Sequence, residues 1–99
     1  MKLEILVLAK ADLIEGRSFY EKQEVGIGDY FLRCLFEDID QLLITAGSHR
    51  KPFGRYHRAL SKHFPFAIFY TLDDDTVKVW SVVDCRRRPS WIRRHLRGL

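Results

Sequence analysis

Residues 64–84 read FPFAIFYTLDDDTVKVWSVVD, and this stretch decides the fold. Phe, Tyr, Ile, Val and Trp dominate it on both sides of three aspartates, and such side chains favour pleated, half-buried strands. Aspartates between two apolar runs are typical of a tight turn, and consecutive turn residues cannot all converge on one metal ion. The stretch therefore predicts an antiparallel hairpin with strands at Phe64–Leu72 and Thr76–Arg86.

A third strand is predicted just before this hairpin, at Arg55–Ser61, so the second half of the chain forms a three-stranded meander. The middle strand is apolar on both of its faces: Phe66, Ile68 and Tyr70 alternate with Ala67 and Phe69. Because both faces need cover, we expect helices on one face and a further layer, a tail or a partner on the other.

The first half of the chain predicts a strand followed by a helix. Lys2–Leu8 is apolar on both faces and indicates a buried strand. From Ala9 the period changes to three and four residues, which indicates an amphipathic helix through Tyr20. Gly16 lies inside this helix, where glycine costs about 1 kcal/mol relative to alanine. Either close packing against a neighbour explains this glycine, or nothing constrains the position.

A second helix is predicted to form a helical hairpin with the first. Gly26 and Gly28 end the first helix, and Asp29 is predicted to cap the second. Apolar residues recur at threes and fours from Phe31 to Ala46. The segment 47–52 contains glycine and proline and is expected to end this helix.

The last segment predicts a short basic amphipathic helix that begins near Pro89 and carries Trp91, Ile92 and Leu96. The predicted fold class is therefore α+β: an N-terminal strand, a helical hairpin, a three-stranded antiparallel meander and this C-terminal helix. With 99 residues, of which 46% are hydrophobic, we expect a single domain spanning 1–99.

Charge is distributed unevenly along the chain. Residues 1–45 carry five bases and nine acids, whereas residues 46–99 carry twelve bases and four acids. The second half therefore has a net charge of +8, and no acid follows Asp84. Such a field attracts polyanions, which include RNA, DNA and acidic protein segments.

Several classes of protein are not expected. The longest apolar run is far shorter than the roughly 20 residues that cross a bilayer, and no signal peptide is recognisable, so we expect a cytoplasmic protein. Neither the two cysteines nor the four histidines show metal-ligand spacing. We expect no metal and no cofactor, and two free thiols with Cys34 on a buried helix face.

The order of these elements coincides with short motifs that together resemble the RelE/ParE toxin superfamily, which includes plasmid stabilisation proteins. The motifs are ADL at 11–13, FYE at 19–21, GIG at 26–28, FPFAIFY at 64–70 and the run from Val82 to the Arg-Arg-Pro at 87–89. The resemblance covers nearly the whole chain. It implies a small growth-inhibiting toxin of a type II toxin–antitoxin module, neutralised by an acidic, partly disordered antitoxin.

The superfamily contains two mechanisms, so whether this chain is an enzyme stays open. RelE-like members cleave mRNA in the ribosome without a metal, whereas ParE-like members inhibit DNA gyrase by binding. On the resemblance, the candidate catalytic residues of a ribonuclease are His57, Arg58 and Arg86. Phe66 stands where RelE-like enzymes carry a catalytic arginine, and Trp91 and Ile92 stand around the position of their proton-transferring Tyr or His. These replacements favour the ParE-like mechanism.

A negatively charged partner is expected to bind the basic half. The candidate partner-binding residues are Arg55, Arg58, Arg86, Arg87, Arg88 and Trp91. The partners considered are the antitoxin with DNA gyrase or, alternatively, the antitoxin with the ribosome and mRNA. A third possibility is a degenerate, non-toxic homologue that is retained for autoregulation with its antitoxin.

Overall fold

A four-stranded sheet lies at the centre of the computed structural model, which describes all residues from Met1 to Leu99. The strands are β1 (Lys2–Ile5), β2 (His57–Leu60), β3 (Phe66–Asp73) and β4 (Thr76–Asp84). Their order in the sheet is β1-β4-β3-β2, with β1 parallel to β4 and the other pairs antiparallel. Asp74 adopts a left-handed φ of 54° in the turn between β3 and β4, so the predicted hairpin is confirmed.

Helices cover both faces of this sheet. They are α1 (Val7–Gln23), α2 (Ile27–Asp40), the single turn α3 (Leu42–Thr45) and α4 (Pro89–Arg97). The α1–α2 hairpin packs on one face, and α4 packs on the other. The sequence left open whether a layer, a tail or a partner covers the second face, and the structure shows that the C-terminal tail does so. No helix has the length and apolar character that a membrane span requires.

Gly16 and Gly28 allow α1 and α2 to approach closely. A Cβ atom on Gly16 would lie 2.6 Å from the Cζ atom of Phe31. A Cβ atom on Gly28 would lie 2.7 Å from the carbonyl oxygen of Arg17. Both distances are too short for real carbon atoms, so close packing is the reason for glycine at position 16.

The predicted N-terminal strand was wrong in its length and its place. It ends at Ile5, and α1 begins at Val7, two residues earlier than predicted. The strand lies at the edge of the sheet with β4 as its one neighbour, and its residues alternate between exposed and half-buried. An apolar run looks the same whether one or both faces are covered, which explains the error.

The other boundaries differ by fewer residues. β2 spans His57–Leu60 rather than Arg55–Ser61, β3 begins at Phe66 rather than Phe64, and β4 ends at Asp84 rather than Arg86. Single backbone hydrogen bonds continue beyond these bounds, from the N–H of Ser61 to the carbonyl of Phe66 at 2.9 Å and from the N–H of Cys85 to the carbonyl of Pro65 at 2.8 Å, before the chain turns into the loops.

The predicted cap of α2 was also wrong. The helix begins at Ile27, so Asp29 lies in its first turn and instead binds the guanidinium of Arg17 at 2.9 Å. The carboxylate of Glu21 takes the capping role, because it accepts hydrogen bonds from the backbone N–H groups of Gly26 at 3.1 Å and Gly28 at 2.9 Å. These bonds satisfy donors that the start of a helix leaves free.

The larger core lies between the sheet and the helical hairpin. It contains thirteen buried residues: Ala9, Leu13, Phe31, Leu35, Ile39, Leu42, Ala59, Phe66, Ile68, Tyr70, Val77, Val79 and Val82. The ring of Phe31 lies at its centre and contacts the rings of Tyr20, Phe64 and Phe66 at centroid distances of 5.2, 5.1 and 5.0 Å. We call this set the hairpin core.

The smaller core lies between the sheet and α4. It contains six buried residues: Tyr56, Ala67, Phe69, Val83, Ile92 and Leu96. Ile92 and Leu96 are one helical turn apart, which confirms the predicted amphipathic character of α4. A β-bulge lies beside this core, since Val79 pairs with Tyr70 and Ser81 with Phe69, which leaves Trp80 as the extra residue. We call this set the α4 core.

Candidate functional site

Seven arginines lie on the α4 side of the sheet, and we call this surface the basic face. It comprises Arg55, Arg58, Arg87, Arg88, Arg93, Arg94 and Arg97. Arg58 belongs to it because its neighbours His57 and Ala59 point to the hairpin core, and successive side chains of a strand point to opposite faces. The ion pairs of the chain involve the N-terminus, Arg17, Lys78 and Arg86, so no arginine of the basic face has an acidic partner.

Three of these arginines are held against aromatic rings. The guanidinium carbon of Arg87 lies 4.0 Å from the ring centre of Trp91. The guanidinium of Arg55 lies 5.4 Å from the ring centre of Trp80, and that of Arg93 lies 5.7 Å from the ring centre of Phe53. A guanidinium that stacks on a ring keeps its N–H donors free for an anion and loses less freedom when the anion binds.

A groove of about 480 Å³ separates α1 from α4. Its walls are formed by residues of the two helices, its floor by the end of β4, and its rim by charged groups of both signs. The lining residues are Asp12, Glu15, Gly16, Phe19, Phe66, Val82, Val83, Asp84, Arg86, Arg87, Trp91 and His95. Phe19 is 48% exposed. The groove therefore offers apolar surface between acidic and basic groups.

A chain of hydrogen bonds crosses the end of this groove and connects α1 with α4. The Ser81 hydroxyl donates to the carboxylate of Asp12 at 2.9 Å, as does the backbone N–H of Val82. A hydroxyl has one proton, so Ser81 accepts its other bond, at 3.1 Å, from Nε2–H of His95. Burial raises the pKa of Asp12, and these bonds oppose the rise.

This chain does not resemble a nucleophilic triad. The Ser81 hydroxyl is fully buried, and its proton is directed to Asp12 rather than to the histidine that would have to accept it. Its effect is structural, because it fixes α1, the β-bulge and α4 to one another. Sequence analysis missed these residues, since Asp12 and Ser81 are 69 positions apart and no local pattern connects them.

The structure does not bring the three candidate catalytic residues together. His57 stacks on Tyr70 on the hairpin side, and its Nδ1 bonds the carbonyl oxygen of His49 at 2.7 Å. Arg58 points to the opposite face. In the sheet, His57 pairs with Tyr70 and Asp84 pairs with Phe66. These two partners are four residues apart on β3, or about 13 Å along the strand, and Arg86 lies beyond Asp84.

Arg86 is also engaged within the chain. Its guanidinium binds the Asp84 carboxylate through Nε at 2.9 Å and through a terminal nitrogen at 2.6 Å. The same contact lowers the pKa of Asp84. Among the candidate partner-binding residues, Arg55, Arg58 and Arg88 lie on the basic face and Arg86 and Trp91 line the groove, whereas Arg87 belongs to both. An acid two positions before an arginine at a strand end is a sequence signal that would have predicted this pairing.

A second group of polar residues fixes the loop between α3 and β2. The Tyr70 hydroxyl is buried in the hairpin core, accepts a bond from the backbone N–H of Gly47 at 3.0 Å and bonds Nδ1 of His49 at 2.5 Å. Burial, together with the nearby His57, lowers the pKa of His49. The same loop carries Phe53, which packs against the α4 core, so it connects the two faces of the sheet.

Known proteins resemble this chain in fold and not in sequence. No protein-family model matches the chain, and no curated protein matches it in sequence. Among the solved structures that match, a chain from the "Chromosomal ParDE TA system from P. aeruginosa" is similar over 85% of this chain and 95% of its own, with a TM-score of 0.77 and 15% sequence identity. This similarity confirms the α+β fold of the RelE/ParE type that the sequence predicts.

Proposed function

We propose that this protein is the toxin of a toxin–antitoxin pair and that it acts by binding, as ParE-like inhibitors of DNA gyrase do, rather than by cleaving RNA. The observation that carries the proposal is the placement of the charged side chains. The candidate catalytic residues His57, Arg58 and Arg86 are dispersed, whereas seven unpaired arginines share one face.

Cleavage of RNA without a metal needs a group that accepts the 2′-hydroxyl proton, a donor for the leaving oxygen and a cation beside the phosphate. These groups must meet at one phosphate. His57 lies under the loop of His49 on one side of the sheet, Arg58 lies on the other, and Arg86 binds Asp84. This arrangement supports binding as the mode of action.

The proposal includes an antitoxin whose acidic, partly disordered segment folds as it binds. The groove between α1 and α4 suits such a segment, because Phe19 and Trp91 provide apolar contact beside Arg86 and Arg87. The fold similarity supports the same view, since the neighbouring structure is described as part of a ParDE system.

The experiment uses the purified full chain in two parallel assays. In the first, supercoiling by DNA gyrase is measured as a function of protein concentration, and we expect inhibition. In the second, the 5′ ends of mRNA on translating ribosomes are mapped, and we expect no new ends. Arg87→Gln removes an unpaired charge near the groove, and Arg33→Gln removes one on the far side as the matched control.

Three results would contradict the proposal, and each points to a different alternative. Codon-phased cuts that disappear in Arg86→Ala would identify a ribosome-dependent ribonuclease. Normal supercoiling at micromolar protein, together with intact mRNA and arrested growth, would indicate another target. Unaffected growth on induction without an antitoxin would indicate a degenerate homologue.

A further inference from the structure

We propose that the basic face binds the phosphate backbone of duplex DNA independently of base sequence. This inference does not rest on the proposed function, because it concerns the protein alone and requires neither gyrase nor an antitoxin. Its starting point is that the seven arginines of the basic face have no acidic partner, although the chain contains thirteen acids. Nine of these acids belong to residues 1–45, which supply β1 and the helical hairpin.

The composition of α4 favours a polyphosphate over a protein partner. Its two aliphatic residues, Ile92 and Leu96, are turned into the α4 core, and its exposed residues are Pro89, Ser90 and three arginines. Protein interfaces are centred on buried apolar or aromatic anchors, and the outer surface of α4 offers none. A phosphate backbone needs no such anchor, since arginines that displace its counterions supply the affinity.

The aromatic rings of the basic face favour a duplex over a single strand. Single-stranded nucleic acids bind by stacking their bases on free aromatic rings. Here the rings of Trp80, Trp91 and Phe53 each have an arginine over one face and pack against the α4 core. These rings therefore hold the guanidinium groups in place for phosphates and leave little ring surface on which a base can stack.

The shape of α4 favours DNA over double-stranded RNA. The helix spans nine residues and packs on the sheet through Ile92 and Leu96, while Arg93, Arg94 and Arg97 are exposed. The major groove of B-form DNA is about 12 Å wide and admits a helix. The major groove of A-form RNA is too narrow for side chains to enter, so an arginine-covered helix fits DNA better.

The test measures the binding of the full chain to a labelled duplex of about 20 base pairs and arbitrary sequence by fluorescence anisotropy over a range of salt concentrations. If about six phosphates are contacted, the plot of log affinity against log salt has a slope of about −5. A second duplex of unrelated sequence should bind with the same affinity. Single-stranded DNA and double-stranded RNA of equal length should bind more weakly.

Two variants of equal charge separate the basic face from net charge. The triple variant Arg93→Gln, Arg94→Gln, Arg97→Gln removes three exposed charges from α4. The control Lys10→Gln, Lys22→Gln, Arg33→Gln removes three exposed charges from the helical hairpin. We expect the first to make the slope shallower by about 3 and the second to leave it unchanged. Circular dichroism checks that both variants fold.

Several results would overturn the proposal. Equal losses in the two variants would show that net charge alone attracts DNA. Tighter binding of poly-glutamate than of DNA would identify the face as a docking site for an acidic protein segment. Stronger binding of single strands or of double-stranded RNA would contradict the assignment to duplex DNA, as would a failure to bind the duplex at low salt. None of these results decides whether the protein inhibits gyrase.

Discussion

The two faces of the sheet differ in both packing and charge. The hairpin core has thirteen buried residues, includes several large rings and is covered by two long helices. The α4 core has six buried residues and is covered by nine residues of helix. The first layer carries most of the acids of the chain, whereas the second carries arginines without acidic partners. One face therefore supplies most of the stability, and the other presents the charge.

This separation has a physical reason. Unpaired like charges repel one another, so a face made of arginines lowers the stability of the element that bears it. Only Ile92 and Leu96 anchor α4 through full burial, and each such side chain contributes about 1.5–3 kcal/mol. The hairpin core offsets this weakness for the domain as a whole. We therefore expect substitutions on the two faces to have unequal effects on the stability of the domain.

The largest effect is expected from Phe31→Ala, which removes the ring at the centre of the hairpin core. The ring is fully buried and contacts three other aromatic rings, so the cavity should lower the free energy of unfolding by about 3–5 kcal/mol. Chemical denaturation followed by circular dichroism measures this loss. For a domain of this size, such a loss removes much of the total stability.

The matched variant on the other face is Ile92→Ala. Because α4 is anchored by so few residues, we expect it to detach locally before the domain unfolds. Amide hydrogen exchange should then accelerate in 89–97 and stay slow in β3 and β4. Exchange that accelerates uniformly through the sheet would show that α4 is part of the cooperative core. The two faces would then not differ in stability as described above.

The next prediction concerns Asp12, which connects the two layers. Asp12→Ala leaves the backbone N–H of Val82 and the hydroxyl of Ser81 without their acceptor, so we expect a loss of about 1–3 kcal/mol in the free energy of unfolding. Asp12→Asn keeps an oxygen that accepts both bonds and removes a partly buried charge, and it should lose less. Equal losses would show that the negative charge beside His95, rather than the hydrogen bonds, connects the layers.

Local pattern was sufficient to predict most of the fold. The alternation in 64–84 predicted the hairpin, and the spacing of Ile92 and Leu96 predicted α4. The place of β1 was missed because a strand at the edge and a strand in the middle of a sheet can have the same apolar run. Val7 and Leu8 extended that run, yet they lie on the exposed side of α1.

The candidate site was less accessible to sequence analysis because its contacts join distant positions. Asp12 reaches Ser81 and Val82 only because the helical hairpin folds back on β4. The arginines were identified by composition, but the division into a basic face and a groove depends on how α4 crosses the sheet. Arg86 is an exception, since its pairing with Asp84 was missed although the two residues are only two positions apart.

The smallest predicted effect is a dependence of stability on pH through His49, in the loop that connects the two faces. Its pKa is lowered in the folded chain, so the unfolded chain binds this proton more tightly. The stability that follows is present above the ordinary pKa, near 6.5, and is lost as the pH falls below it. We expect the free energy of unfolding to decrease on acidification through this range.

His49→Asn keeps an acceptor for the Tyr70 hydroxyl without titrating, and it should flatten the decrease, whereas His63→Gln, in an exposed turn, should not. Hydrogen exchange at low pH locates the opening: we expect it in 47–56, and exchange confined to α1 and α2 would show that this loop does not hold the two layers together.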